Sequence, residues 1–298
     1  MRQAMGTETA SWRSEALGPG RTLELSEGRI RAHVVGEGPP IVFVHGILVN
    51  ANLWRRVVPR LDGCTRVTLD LPLGSHLEPM PAGADLSPPG LALMIAEAID
   101  ALELNEVTVV GNDTGGALTQ LMAVRRPERL ARVVLTSCDA FDNFPPRFFR
   151  IVLAPAQIPG AIPIVFGGMR VRVLRRLPIA YGWLSNEPIE READDSFVLP
   201  VLTWRGIRRD LRKVLRGLDA KYTLDAAARL TAVDKPVLIA WSTEDRFFPP
   251  AHAERLAKVF PNARLEWVEG ARTFSTEDRP ERLADLIASF ARVAAAAA

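Results

Sequence analysis

The chain has 298 residues, 37 Lys and Arg against 35 Asp and Glu, and four His; 48% of it is hydrophobic and 24% charged. This is the balance of an ordered globular protein, and it excludes a disordered, collagenous or acidic-tailed one. A net charge of +2 gives no electrostatic case for nucleic acid as a partner.

Length alone suggests two domains, but one α/β domain of roughly 250 residues with an insertion fits equally well. Cys64 and Cys138 are the only cysteines, too few for a disulfide framework, which points to a reducing cytoplasm. The first twenty residues lack the apolar core of a signal peptide and read as a flexible leader. RTLEL and RIRAHVV then pair as a hairpin, and PPIVFVHG is an apolar β-run that stops at glycine. TRVTLDLP repeats the pattern. A helix capped by Ser87 follows, then the strand EVTVVGND, a helix from Gly115 to about Arg126, and the strand ARVVLTSCDAF. Short buried strands alternating with helices imply a mostly parallel sheet covered on both faces.

Alternation breaks between residues 142 and 222, where proline, aromatics and arginine concentrate. This stretch carries 14 Lys and Arg against 8 Asp and Glu, an excess read as solvated helix faces such as RRDLRKVLR. Within it, residues 151–169 are uncharged and nearly long enough to span a membrane. Pro155, Pro159 and Pro163 break any helix there, so an apolar lining over a pocket is expected instead of a span. The alternation resumes with KPVLIAWSTED, PPAHAERLAKVF, ARLEWVE and a last helix through Ala288. The expected organisation is a leader over 1–20, an α/β core over 21–141 and 223–292, a helical cap over 142–222, and a tail over 293–298.

The chemistry centres on Gly111-Asn112-Asp113-Thr114-Gly115-Gly116, directly after the strand VTVV and directly before a helix. Small residues around the central position allow a tight strained turn that lifts Asp113 out of the sheet, at the positive end of the following helix. Around this turn the chain resembles the α/β-hydrolase superfamily over roughly residues 22–292. His45-Gly46 follows the third strand, Asp70-Leu71-Pro72-Leu73-Gly74 takes the place of a D-x-P-G-x-G loop, and Trp241-Ser242-Thr243-Glu244-Asp245 ends the strand that supplies an acid. Glu277-Asp278-Arg279-Pro280-Glu281 introduces the last helix.

Aspartate at the elbow resembles the haloalkane dehalogenase and epoxide hydrolase branch. The resemblance implies an α/β-hydrolase fold with Asp113 as nucleophile, Ile47 and Thr114 N–H groups as oxyanion hole, and Asp245 as the triad acid, with Asp139 as the alternative acid. It also exposes a departure. Thr273 stands where the branch has its catalytic His, and a hydroxyl cannot accept a proton near neutral pH. Of the four histidines, His33 and His252 fall on a strand and a surface helix, and His45 orders its own loop. His76 lies in a loop at the C-terminal end of a strand, either as replacement base or as a loop-stabilising residue. Thr114 replaces the halide-holding Trp of dehalogenases, which leaves Trp183 or Trp204 of the cap either to serve there or to pack. Tyr181 and Tyr222 match in number the two tyrosines with which epoxide hydrolases protonate their substrate, or they line an apolar pocket.

The expected function is therefore a cofactor-free and metal-free hydrolase acting on a small apolar substrate, without nucleic-acid partner or membrane span, as a monomer or homodimer in the cytoplasm. Two alternatives stay open. One is a non-hydrolytic isomerase, cyclase or lyase on the same fold; the other is a catalytically silent binding protein.

Overall fold

A computed structural model describes residues 12–293. Eight strands, β1 Gly20–Leu25, β2 Gly28–Val35, β3 Pro40–Val44, β4 Thr65–Asp70, β5 Val107–Asp113, β6 Leu130–Cys138, β7 Val237–Ser242 and β8 Ala263–Val268, form one sheet in the order β1-β2-β4-β3-β5-β6-β7-β8. β2 runs antiparallel to β1 and β4, and every other pairing is parallel. The central strands are apolar runs because both of their faces are covered: Ile41 to Val44 and all of β7 are buried. Helix α1, Pro88–Ala101, starts with the Ser87 hydroxyl accepting the Gly90 N–H, as its sequence predicts. α2, Thr114–Arg125, follows β5 without a linking residue. β3 leads away to β4 on one side while β5 leads to β6 on the other. The loops after β3 and β5 therefore diverge above the sheet and open a crevice between them.

Between β6 and β7 the chain leaves the sheet. It forms α3 Arg147–Leu153, α4 Ile162–Val165, α5 Arg172–Arg175, α6 Arg191–Thr203, α7 Arg205–Gly217 and α8 Ala220–Arg229 before returning. The uncharged stretch 151–169 is broken into short pieces, and no helix among the described residues is long and apolar enough to cross a membrane. α9 Pro250–Val259, α10 Ser275–Asp278 and α11 Pro280–Val293 complete the described chain.

The expected leader needs correction for its second half; residues 1–11 lie outside the described residues, as do residues 294–298 of the expected tail. From Trp12 onward the chain is packed. Leu17 is fully buried, and Trp12 stacks on Trp204 with ring centroids 5.7 Å apart. Arg13 Nε sits 2.8 Å from Asp70 Oδ2 and 3.1 Å from Oδ1, and Ala51 N–H donates to the same carboxylate. Asp70 ends β4 in the interior, where a bare carboxylate would be very costly. Burial works against its charge, but Arg13 and His33 hold its pKa well below the usual carboxylate range. The physical reason for ordering residues 12–20 is this buried charge, which nothing local in their sequence reveals.

Removing Arg13 leaves Asp70 buried with its main cation gone, so Arg13→Leu is expected to lose about 3–5 kcal/mol of stability in urea unfolding at pH 7. Because the folded carboxyl is depressed, its stabilisation is present above about pH 4 and is lost as pH falls below that value. The gap between the two proteins should narrow accordingly.

Candidate active site

Asp113 is the last residue of β5 and immediately precedes α2, with φ 55° and ψ −132°. Such a backbone is strained for a residue carrying Cβ, at a cost of about 1–3 kcal/mol. Two neighbouring glycines make it possible. A methyl group on Gly115 would stand 2.4 Å from Val44 O, so α2 can start only because its backbone presses directly on β3. A methyl group on Gly46 would stand 2.1 Å from Asp113 Oδ2. The Asp113 carboxylate therefore occupies the space a side chain would take after His45. His45 fixes that loop: its Nδ1 donates to Gly46 O at 2.8 Å and its Nε2 accepts the Leu71 N–H at 3.0 Å. Full burial lowers the His45 pKa to about 4, so the ring stays neutral, as this tautomer requires.

Asp113 faces a cavity of about 380 Å³ between the sheet and the inserted helices. Apolar groups such as Ile47, Phe149, Val165, Phe166, Met169 and Leu184 form most of its wall. Its polar lining is Asp113, Thr114, Asp139 and Tyr181. Burial, reinforced by the charge of Asp245, raises the Asp113 pKa to about 7, while the Thr114 N–H pulls it back. Asp139, at the end of β6, is pushed well above the usual carboxylate range, first by burial and then by the charge of Asp113. Thr114 Oγ1 donates to Asp139 Oδ2 at 3.1 Å, whereas Asp139 Oδ1 has no hydrogen-bond partner. Two carboxyls in one apolar cavity cannot both be charged cheaply, so burial and the neighbouring charge hold both pKa values up.

Asp245 stands behind this pair and does not line the cavity. Its Oδ1 accepts the N–H groups of Phe247 and Phe248, each at 2.8 Å. Burial raises its pKa, and the Thr273 hydroxyl lies close enough to lower it. Even so, Asp245 Oδ2 and Thr273 Oγ1 each lack a hydrogen-bond partner. Thr273 is fully buried, and its carbonyl accepts Asn112 Nδ2 at 2.8 Å. Asn112 thus ties the elbow to the loop after β8, a function its place inside the G-x-D-x-G turn did not disclose.

His76 is not brought to Asp113, and the expectation of a replacement base there is corrected. Its Nε2 donates toward Asp210 Oδ2 at 3.3 Å, and its Nδ1 accepts the Gly74 N–H at 3.4 Å. Both nitrogens are spent on pinning the β4 loop to α7, because Asp210 is itself buried and needs donors. The aromatic expectations divide similarly. Tyr181 lines the cavity, but its hydroxyl donates to Leu48 O at 2.6 Å. Trp183 packs among Phe148, Phe247 and Arg246, Trp204 stacks on Trp12, and Lys221 covers Tyr222; none of these three rings lines the cavity. No pair of cavity tyrosines is assembled. Ile47 and Thr114 do border it beside Asp113.

A raised carboxyl pKa destabilises the fold as pH climbs. Between about pH 4 and 7 the native Asp113 keeps a proton that the unfolded chain has lost, so stability falls across that interval. Asp113→Asn removes the titration. Its melting temperature should exceed that of the parent by more at pH 8 than at pH 5, and an equal gain at both values would show that the carboxyl is not held neutral.

Residues 41–286 match the model of the alpha/beta hydrolase family. The chain is 27% identical over 269 residues to haloalkane dehalogenase 2 of Mycobacterium tuberculosis, covering 90% of this chain and 93% of that one. It is 26% identical to an uncharacterised protein of the same organism, covering 86% and 76% of the two chains. Among solved structures, the haloalkane dehalogenase DbeA of Bradyrhizobium elkani superposes with a TM-score of 0.77 at 20% identity, over 94% of this chain and 99% of that one. With its eight-stranded, mostly parallel sheet and a match over most of its length, the chain belongs to the α/β-hydrolase family.

Proposed function

We propose that the protein is a cofactor-free hydrolase of small apolar carbon electrophiles, related in chemistry to the dehalogenases it resembles, with Asp113 as nucleophile. The observation that supports this most directly is the Asp113 carboxylate held on a strained turn at the floor of an apolar cavity. One Asp113 oxygen attacks carbon, the carbon–leaving-group bond breaks, and the leaving group departs with its electron pair. The N–H groups of Ile47 and Thr114 then face the ester carbonyl oxygen and stabilise its charge when water adds. The helices over 142–222 act as a cap that closes the cavity to bulk water.

Thr273 cannot take a proton from that water. Asp139 is the other carboxyl lining the cavity; burial is the first cause of its raised pKa, and esterification of Asp113 removes the negative charge that adds to it. Asp139 then ionises more readily and accepts the proton of the attacking water. Asp139 passes that proton to the departing oxygen, the alcohol leaves, and Asp113 is regenerated as the acid, which ionises to restore the nucleophile. A carboxylate is a weaker base than imidazole, so the second step is slow and the ester accumulates.

Four outcomes are expected. Intact-mass measurements with a panel of haloalkanes and epoxides should show an adduct on Asp113 that Asp113→Ala abolishes. Its formation rate should rise roughly tenfold per pH unit below about 7 and level off above, because only the carboxylate attacks. Asp139→Asn should lengthen adduct lifetime without slowing its formation. Thr273→His, which places an imidazole beside Asp245, should shorten adduct lifetime by roughly 10²-fold or more; an unchanged lifetime in a folded variant would refute the assignment of position 273.

A second reading is favoured by the two carboxyls, Asp113 and Asp139, that line one cavity with raised pKa values. Such a pair can move a proton across a bound substrate with no ester formed, as an isomerase or lyase does. Product formed in H₂¹⁸O without label, and without adduct, would select it. Ligand binding with neither adduct nor product would select a silent binding protein.

A further inference from the structure

Residues 143–186 contain no Asp or Glu, yet they hold six arginines. Eight of the nine large hydrophobic side chains that stand exposed among the described residues also fall within 151–179. Ile164 is 82% and Ile151 74% exposed, far beyond what scattered surface residues require, and clustering of this kind marks an interaction surface. Arg172 and Arg175 are neutralised by Asp194 and Asp195. Arg147, Arg150, Arg170 and Arg176 are exposed and make no ion pair among the described residues. The surface is therefore apolar and cationic at once.

The same surface holds the mouth of the Asp113 cavity. Ile151, Leu174, Leu177 and Ile179 line the cavity wall and are themselves exposed, so one set of side chains faces both the interior and the outside. We propose that this face docks on an anionic phospholipid bilayer, through isoleucine and valine tips set into the headgroup boundary and arginines on lipid phosphates. Several features select that occupant. A second copy of the chain would bring four uncompensated arginines against four more. The apolar tips come from α3, α4, α5 and the turns between them, which present separate protrusions and no single groove for a peptide. Guanidinium groups match phosphate geometry. No spanning helix is needed, because the face lies on the surface and does not cross. Taken with the proposed chemistry at Asp113, on which this last step rests, an apolar substrate would pass from lipid into the cavity without crossing water.

The test uses the full chain and needs no substrate, so its failure would leave the Asp113 chemistry standing. Co-sedimentation with phosphatidylcholine vesicles, with and without phosphatidylglycerol, is expected to show roughly 10²-fold or stronger partitioning to the anionic vesicles, weakened by salt. Replacing Arg147, Arg150, Arg170 and Arg176 together by Gln should cut that partitioning by roughly fivefold per arginine. Ile158→Ser with Ile164→Ser and Val173→Ser, all at exposed positions outside the cavity wall, should lower it by roughly tenfold or more with net charge unchanged. Melting temperatures identify any variant that fails to fold. No binding by the folded parent overturns the proposal. So does binding that survives the serine variant, which would be mere adsorption of a basic protein. Concentration-dependent dimerisation abolished by the same serines, without vesicle binding, would assign the face to self-association and overturn it equally.

Discussion

Holding Asp113 at a positive φ requires the start of α2 to lie against β3 with no side chain between them, and the site is arranged around that contact. Gly115 sets the spacing of helix and strand, and Gly46 leaves room for the carboxylate itself. His45 then locks the loop that carries Gly46, and Asn112 fastens the elbow to the loop after β8. Strain of this kind persists only where the surroundings over-determine it. Interiors packed at crystal density leave the turn no room to relax. The carboxylate is consequently held in one position by the fold itself, which is what the proposed attack on carbon needs.

The same burial that positions Asp113 also weakens it. An apolar cavity favours an apolar substrate but disfavours charge, and Asp139 and Asp245 add repulsion where a cation would have brought relief. Beside Asp245 stands Thr273, a hydroxyl and not an imidazole, and in the proposed reaction the protons are carried by the carboxyls. Elsewhere the protein spends cations freely on buried acids: Arg13 on Asp70, and Arg55, bidentate, on Glu277. Among the described residues the cavity carboxyls have no cation of this kind.

Much of this was legible in the chain. The strands were readable because runs such as PPIVFV and KPVLIAW are buried on both faces, and Ser87 announced the start of its helix. The elbow was readable because glycine spacing, strand and helix coincide at Asp113, and the lack of histidine at Thr273 was equally plain. His76 was not, since a loop at the correct end of a strand can turn its ring either way, and buried Asp210 decided the direction. Nor were the roles of Tyr181, Trp183 and Trp204, which depend on which rings meet after the inserted helices fold over the sheet.

The sequence by itself determined the alternation of elements, the position of the strained aspartate and the missing base. The first two are set by neighbours within a few residues, through propensity and turn sterics; the missing base is legible only through the family resemblance. Only the tertiary structure decided that Arg13 belongs to Asp70, that His76 belongs to Asp210, and that Asp139 shares the cavity of Asp113. Those pairings join residues far apart in the chain. They are chosen by the cost of burying an unpaired charge or polar group, which has no value until the burial itself is known.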